Sequence, residues 1–122
     1  SLHAVLRGMH EVINGNRGTA RGARLDIPGI TMAGKTGTSQ VRRITRSERA
    51  QGLHKLKNRP WEELDHALFV CFAPYENPRY AVSVIVEHGE SGSKTAAPIA
   101  KDIMTRALEL DPIGREKKMA RA

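Results

Sequence analysis

Cysteine occurs once in the 122 residues, at Cys71, so no disulfide can close within the chain. Aromatic side chains make up only 4% of the sequence, which leaves the core to aliphatic residues. No apolar run approaches the roughly 20 residues that span a bilayer. The opening Ser-Leu-His-Ala-Val-Leu-Arg-Gly has no basic segment followed by an apolar one, so it does not read as a secretory leader. It also lacks an initiator methionine, and the chain is expected to be a piece of a longer protein. The five histidines (His3, His10, His54, His66, His88) show no metal-ligand spacing with Cys71, so neither a metal nor a cofactor is expected.

Positive charge is what the chain has in excess: 20 Lys and Arg against 13 Asp and Glu, a net +7. Such a balance permits nucleic-acid or anionic-surface binding. The cations fall in a loop (Arg42, Arg43, Arg46, Arg49, Lys55, Lys57, Arg59) and a tail (Arg115, Lys117, Lys118, Arg121). Only Trp61 could serve them as an aromatic platform, and no nucleic-acid motif accompanies them. A nucleic-acid partner is therefore not expected, and a basic nucleic-acid-binding domain stands only as an alternative.

Hydrophobic spacing predicts an amphipathic helix over Ser1–Asn14, with Leu2, Val5, Leu6, Met9, Val12 and Ile13 on one face and Ser1 as cap. Residues 15–29 read as a Gly- and Arg-rich loop with a short strand near Ala23–Ile27. Thr31–Ile44 reads as a strand. Thr45–His66 is polar and without period, an inter-strand excursion expected to be mobile. Ala67–Ala73 is a continuous apolar run, predicting a central strand covered on both faces, with Cys71 buried in it. A turn at Pro74–Pro78 leads into a hairpin partner over Arg79–His88. Thr95–Leu110 reads as the last helix, capped by Thr95, with Ile99, Ile103, Ala107 and Leu110 as its inner stripe. The predicted fold is α+β: an antiparallel three-stranded sheet with N- and C-terminal helices on one face over residues 1–112. A basic tail, 113–122, is expected to be disordered.

Residues 29–36, Gly29-Ile-Thr-Met-Ala-Gly34-Lys35-Thr36, satisfy the phosphate-loop pattern G-x-x-x-x-G-K-[ST]. Such a loop must follow a buried parallel strand and open a helix. Here Pro28 precedes it, Gly37-Thr38-Ser39-Gln40-Val41 is a poor helix start, and no βαβ crossover is available. Glu87 could imitate a magnesium carboxylate, so a nucleotide-binding module stays as a second alternative. The same residues fit K-[ST]-G-[ST] within a strand, the third element of serine acyl-transferases that react with β-lactams. An edge strand can dock an extended peptide through its main chain. Gly37 clears space for a substrate backbone. Lys35 offers charge, and Thr36 and Thr38 offer hydroxyls, to a terminal carboxylate.

Several further segments agree in order and spacing: Gly8-Met9 through Asn16-Arg17-Gly18-Thr19-Ala20, Ala33 through Val41, Asp65 through Tyr75 with Asn77-Pro78, and Val82–Glu87 with Gly89. Over nearly all of residues 1–110 the chain resembles the carboxy-terminal part of the transpeptidase domain of class B penicillin-binding proteins, most closely their cell-elongation branch. That resemblance implies a fragment of the β-lactamase/transpeptidase-like fold and a serine-type D,D-transpeptidase as the whole enzyme. A serine attacks the penultimate D-Ala carbonyl of a peptidoglycan stem peptide, and a neighbouring amine resolves the acyl-enzyme. β-Lactams imitate the D-Ala-D-Ala end. The resemblance assigns Lys35, Thr36, Gly37, Thr38 and Ser39 to substrate binding. It assigns Lys35 and the backbone N–H of Thr38, an oxyanion donor, to catalysis. It further implies a membrane-anchored enzyme at the periplasmic face of the inner membrane, partnered by a lipid-II polymerase and the elongation machinery.

The family also needs S-x-x-K and S-x-N upstream of Lys35, and neither occurs there. Ser91-Gly-Ser-Lys94 and Tyr75-Glu-Asn77 match these patterns downstream, in reversed order, and read as turn residues. The serine is thus expected outside these 122 residues, and the chain alone is expected to be inactive. A D,D-carboxypeptidase or β-lactam sensor would share Lys35–Thr38. The edge strand holding residues 32–41 could pair with a second copy of the chain.

Overall fold

The computed structural model describes residues 1–53 and 59–112. Helix α1 spans Leu2–Asn14 and is capped by Ser1, whose hydroxyl accepts from the Ala4 N–H. Its end is closed twice: the Gly15 N–H returns to the Glu11 carbonyl, and the Arg24 guanidinium donates to the carbonyls of Ile13 and Asn14. Arg24 leaves a one-turn 3₁₀ helix at Arg21–Ala23, and the strand predicted near Ala23–Ile27 is absent: no strand among the described residues runs alongside for it to join, and Arg24 is committed to the end of α1.

Strand β1 (Ala33–Ser39) pairs antiparallel with β2 (His66–Ala73), and β2 pairs antiparallel with β3 (Tyr80–Val86). The order is β1-β2-β3, so the apolar strand is central, as its composition predicted. Its burial alternates, however. Ala67, Phe69, Cys71 and Ala73 are at most 3% exposed, whereas Val70 is 43% exposed and Leu68 and Phe72 are half-buried. The expected cover on both faces is therefore present on one, because the described residues supply a single layer over that part of the sheet.

That layer is helix α3, Ala97–Leu110, which lies along β2 and β3, while α1 lies against β1. The buried side of α3 is Ala97, Ala100, Met104 and Leu108, not the predicted Ile99, Ile103, Ala107, Leu110 row; Ile99, Ile103 and Leu110 are 42–59% exposed. Alanines at the contact let the helix approach the sheet closely, and Met104 joins Phe69 in the same buried core. The end of α3 is tied to β3 by Asp111, which accepts from Arg79 (3.0 Å) and from the Tyr80 hydroxyl.

The excursion between β1 and β2 contains a short helix, α2 (Arg46–Ala50), and a 3₁₀ turn at Trp61–Glu63. A capping box at Thr45-x-x-Glu48 explains α2: Thr45 Oγ1 accepts from the Glu48 N–H, and the Glu48 carboxylate accepts from the Thr45 N–H. Residues 54–58 and the predicted tail from 113 lie outside the described residues.

Candidate functional site

Lys35, Thr36, Gly37, Thr38 and Ser39 all lie on β1, whose second edge meets no strand among the described residues. Lys35, Thr38 and Ser39 are exposed, while Thr36 and Gly37 are half-buried. Register places Lys35 opposite Val70 and Gly37 opposite Leu68 on the bare face of the sheet, with Thr36 opposite Phe69 and Thr38 opposite Ala67 on the other face. Lys35 Nζ donates to the Thr36 carbonyl at 2.8 Å, a local contact that a carboxylate could displace. Gly34 is what brings the strand against the core: a Cβ there would stand 2.7 Å from both the Phe69 ring and the Val70 carbonyl oxygen.

The direction of the Thr38 amide follows from the ladder. The N and O atoms of Gly37 and the O atom of Leu68 converge on one point, each within 3.1 Å of it. Gly37 therefore turns its polar groups toward β2. Because successive residues of a strand point their amides to opposite edges, Thr36 and Thr38 present theirs to the open edge.

The far end of β1 is pinned by residues that sequence reasoning missed. Asp65 Oδ1 accepts from the Val41 N–H at 3.4 Å, and the Asp65 carbonyl accepts from the Glu90 N–H at 2.9 Å. His66 stands opposite Ser39, and its Nδ1 accepts from the His88 N–H at 2.9 Å. His88 Nδ1 lies 2.8 Å from the Leu64 carbonyl and so carries the proton of that pair. Trp61 and His66 both pack on the His88 ring, at 4.3 and 4.8 Å between centroids. No local pattern marks these partners, which the chain separates widely.

Arg42, just past β1, ion-pairs with Glu48 at 2.9 Å and Glu63 at 3.6 Å, tying α2 to the Trp61 turn. The Thr45 backbone N–H, then Arg42, then the Thr45 hydroxyl hold the Glu48 carboxyl down to about 2. Burial pushes the Cys71 thiol up to about 11.

The two downstream look-alikes are structural. Ser91 Oγ accepts from the Lys94 N–H and caps the helical turn that enters α3. Tyr75 stacks near His10 and Phe72, and its N–H donates to Thr31. The phosphate-loop alternative fails on geometry: Gly34-Lys35-Thr36 lies inside an antiparallel strand and opens no helix. Among the described residues, no cluster of His, Cys, Asp and Glu could hold a metal ion, and no helix is long and apolar enough to cross a membrane.

Comparison with known proteins covers most of the chain. Residues 1–105 match the penicillin binding protein transpeptidase domain. The chain is 42% identical over 103 residues to the peptidoglycan D,D-transpeptidase MrdA of Haemophilus influenzae, covering 83% of this chain and 15% of that protein. It is 44% identical over 86 residues to MrdA of Acinetobacter baumannii, covering 70% of this chain and 12% of that protein. Among solved structures, PBP2 of Pseudomonas aeruginosa in complex with WCK 5153 superposes with a TM-score of 0.64 at 43% identity, over 92% of this chain and 20% of that one. PBP2 of Helicobacter pylori in complex with MreC gives 0.66 at 38% identity, over 90% of this chain and 17% of that one. The chain thus spans only about a seventh to an eighth of the length of these curated relatives. With residues 1–105 matching that domain and the backbone superposing on solved PBP2 structures, the chain belongs to the penicillin-binding-protein transpeptidase domain family.

Proposed function

We propose that the chain is the carboxy-terminal part of a peptidoglycan D,D-transpeptidase of the cell-elongation type, and that β1 is one wall of its acyl-transfer site. In this reading an extended stem peptide lies along the open edge of β1. Lys35 and the hydroxyls of Thr36, Thr38 and Ser39 take its terminal carboxylate, and Gly37 leaves room for its backbone. The outward N–H of Thr38 is one donor to the oxyanion that forms when a serine attacks the penultimate carbonyl. The serine and its lysine come from a part of the enzyme beyond these 122 residues. A β-lactam takes the place of the D-Ala-D-Ala end and leaves the serine acylated. The whole enzyme works at the periplasmic face of the inner membrane with a lipid-II polymerase and the elongation machinery.

One observation carries the reading. The Lys35–Thr38 strand is exposed along an open edge, with the Thr38 amide turned toward that edge. Lys35→Ala in the full-length enzyme is expected to slow acylation by a fluorescent penicillin by about a hundredfold, the loss typical of one preorganised electrostatic contact. The isolated 122 residues should take up no label. Covalent labelling of the isolated chain, or wild-type acylation by the Lys35→Ala enzyme, would sink the proposal.

A further inference from the structure

Residues 88–96 form a strap that runs beneath β1 into α3. His88 and Glu90 hold left-handed backbone at φ 53° and 69° without being glycine, a conformation that persists only when its surroundings enforce it. The enforcing contacts are present. The His88 N–H donates to His66 Nδ1, the Glu90 N–H to the Asp65 carbonyl, and the Thr95 hydroxyl to the Gly89 carbonyl at 2.8 Å. Ser91 caps the turn that follows. The strap is thus fixed to Asp65 and His66, the residues that pin the far end of β1.

At its centre is Gly92, which is buried. A Cβ on Gly92 would stand 2.6 Å from the Leu68 carbonyl oxygen, 2.8 Å from that of Gly37 and 3.1 Å from the Gly37 nitrogen. All three are backbone atoms of the β1–β2 ladder, so none can swing aside as a side chain would. The only relief is movement of the strap or of β1.

We propose that Gly92 is a positioning residue for β1: its bare α-carbon lets the strap lie flush under Gly37 and sets where the Thr36 and Thr38 amides stand along the open edge. The inference rests on the reading of β1 as an acyl-transfer wall. An added methyl lifts the Gly37–Thr38 peptide, which displaces the oxyanion donor while leaving every residue of the Lys35–Thr38 motif chemically unchanged.

The test is Gly92→Ala in the full-length enzyme, with Met104→Ala as comparator, since Met104 is buried in the core on α3. Acylation by a fluorescent penicillin is resolved into a binding constant and a limiting rate, and melting temperature is recorded for each variant. Gly92→Ala is expected to lower the limiting rate by about tenfold or more with little change in binding, as a misplaced catalytic donor does. Met104→Ala should lower the melting temperature and leave the limiting rate near wild type. An unchanged limiting rate in Gly92→Ala, or an equal loss in Met104→Ala, overturns the inference. If Gly92→Ala does not fold, Thr95→Val loosens the strap without a clash and should slow acylation by about two- to fivefold; no slowing overturns the inference. Amide exchange separates this outcome from failure of the functional reading. In Gly92→Ala (or Thr95→Val, if the former does not fold) the Gly37 amide should lose protection while those of β3 keep theirs, and equal loss on both strands overturns the inference. A wild-type enzyme that is never acylated removes the transpeptidase reading and leaves the exchange result to judge the strap.

Discussion

The two faces of β2 are built from the same kind of residue and end in different surroundings. Ala67, Phe69, Cys71 and Ala73 sit in the core that includes Met104, Ala100 and Leu108 of α3. Leu68, Val70 and Phe72 alternate with them, yet Val70 is 43% exposed, and Ile85 of β3, which stands opposite Leu68, is 64% exposed. Lys35 and Gly37 share the bare side, opposite Val70 and Leu68. An apolar run without alternation belongs to a strand with a layer on each face. This chain supplies one of the two, and Lys35 and Gly37 of the motif lie on the side without cover.

A pair of truncations tests the difference between the faces most directly. Phe69→Ala should cost about 3–5 kcal/mol in urea denaturation of the chain, since it empties a fully buried ring position, whereas Val70→Ala should cost below about 1 kcal/mol. Equal losses would mean that the faces do not differ. A chemical contrast comes next. With its thiol raised from 9.0 to about 11, Cys71 carries about a hundredfold less thiolate than a free cysteine at pH 8, and burial blocks access further. A thiol reagent should label Val70→Cys rapidly and leave Cys71 untouched until the protein unfolds. The sign of the linkage is that native stability falls as pH rises past 9, where only the unfolded chain ionises. The smallest effect lies on neither face. The Glu48 carboxyl should titrate near 2 by NMR rather than at the ordinary 4.5. Its support for α2 is complete above the ordinary value and lost as pH falls through about 2, while both faces of β2, which carry no carboxylate, stay indifferent. A Glu48 midpoint near 4.5 would remove the Thr45 and Arg42 contacts from the account.

The legible parts of the molecule were those with a local cause. Helix α1, β2 and β3 were read close to their observed limits, because apolar spacing and β-branched residues act within a few positions; β1 was found but read too long, as Thr31–Ile44 against Ala33–Ser39. Helix α2 was missed, because its polar surroundings carry no hydrophobic period, although Thr45-x-x-Glu48 is a local capping signal for it. The stripe on α3 was misread because Ile99 and Ile103 outrank Ala97 and Ala100 in hydrophobicity, while close approach to a sheet selects the smaller residues.

By itself, the sequence determined that Lys35–Thr38 lies on a strand and that an apolar strand neighbours it, since both follow from short-range pattern. Only the tertiary structure decided which edge the Thr38 amide faces, which side of β2 is covered, and that Gly92 lies under Gly37 with Asp65 and His66 holding the strand's end. Those facts depend on chain segments that meet only after the sheet has paired and α3 has packed, and no spacing in the sequence encodes where a bare α-carbon will come to rest.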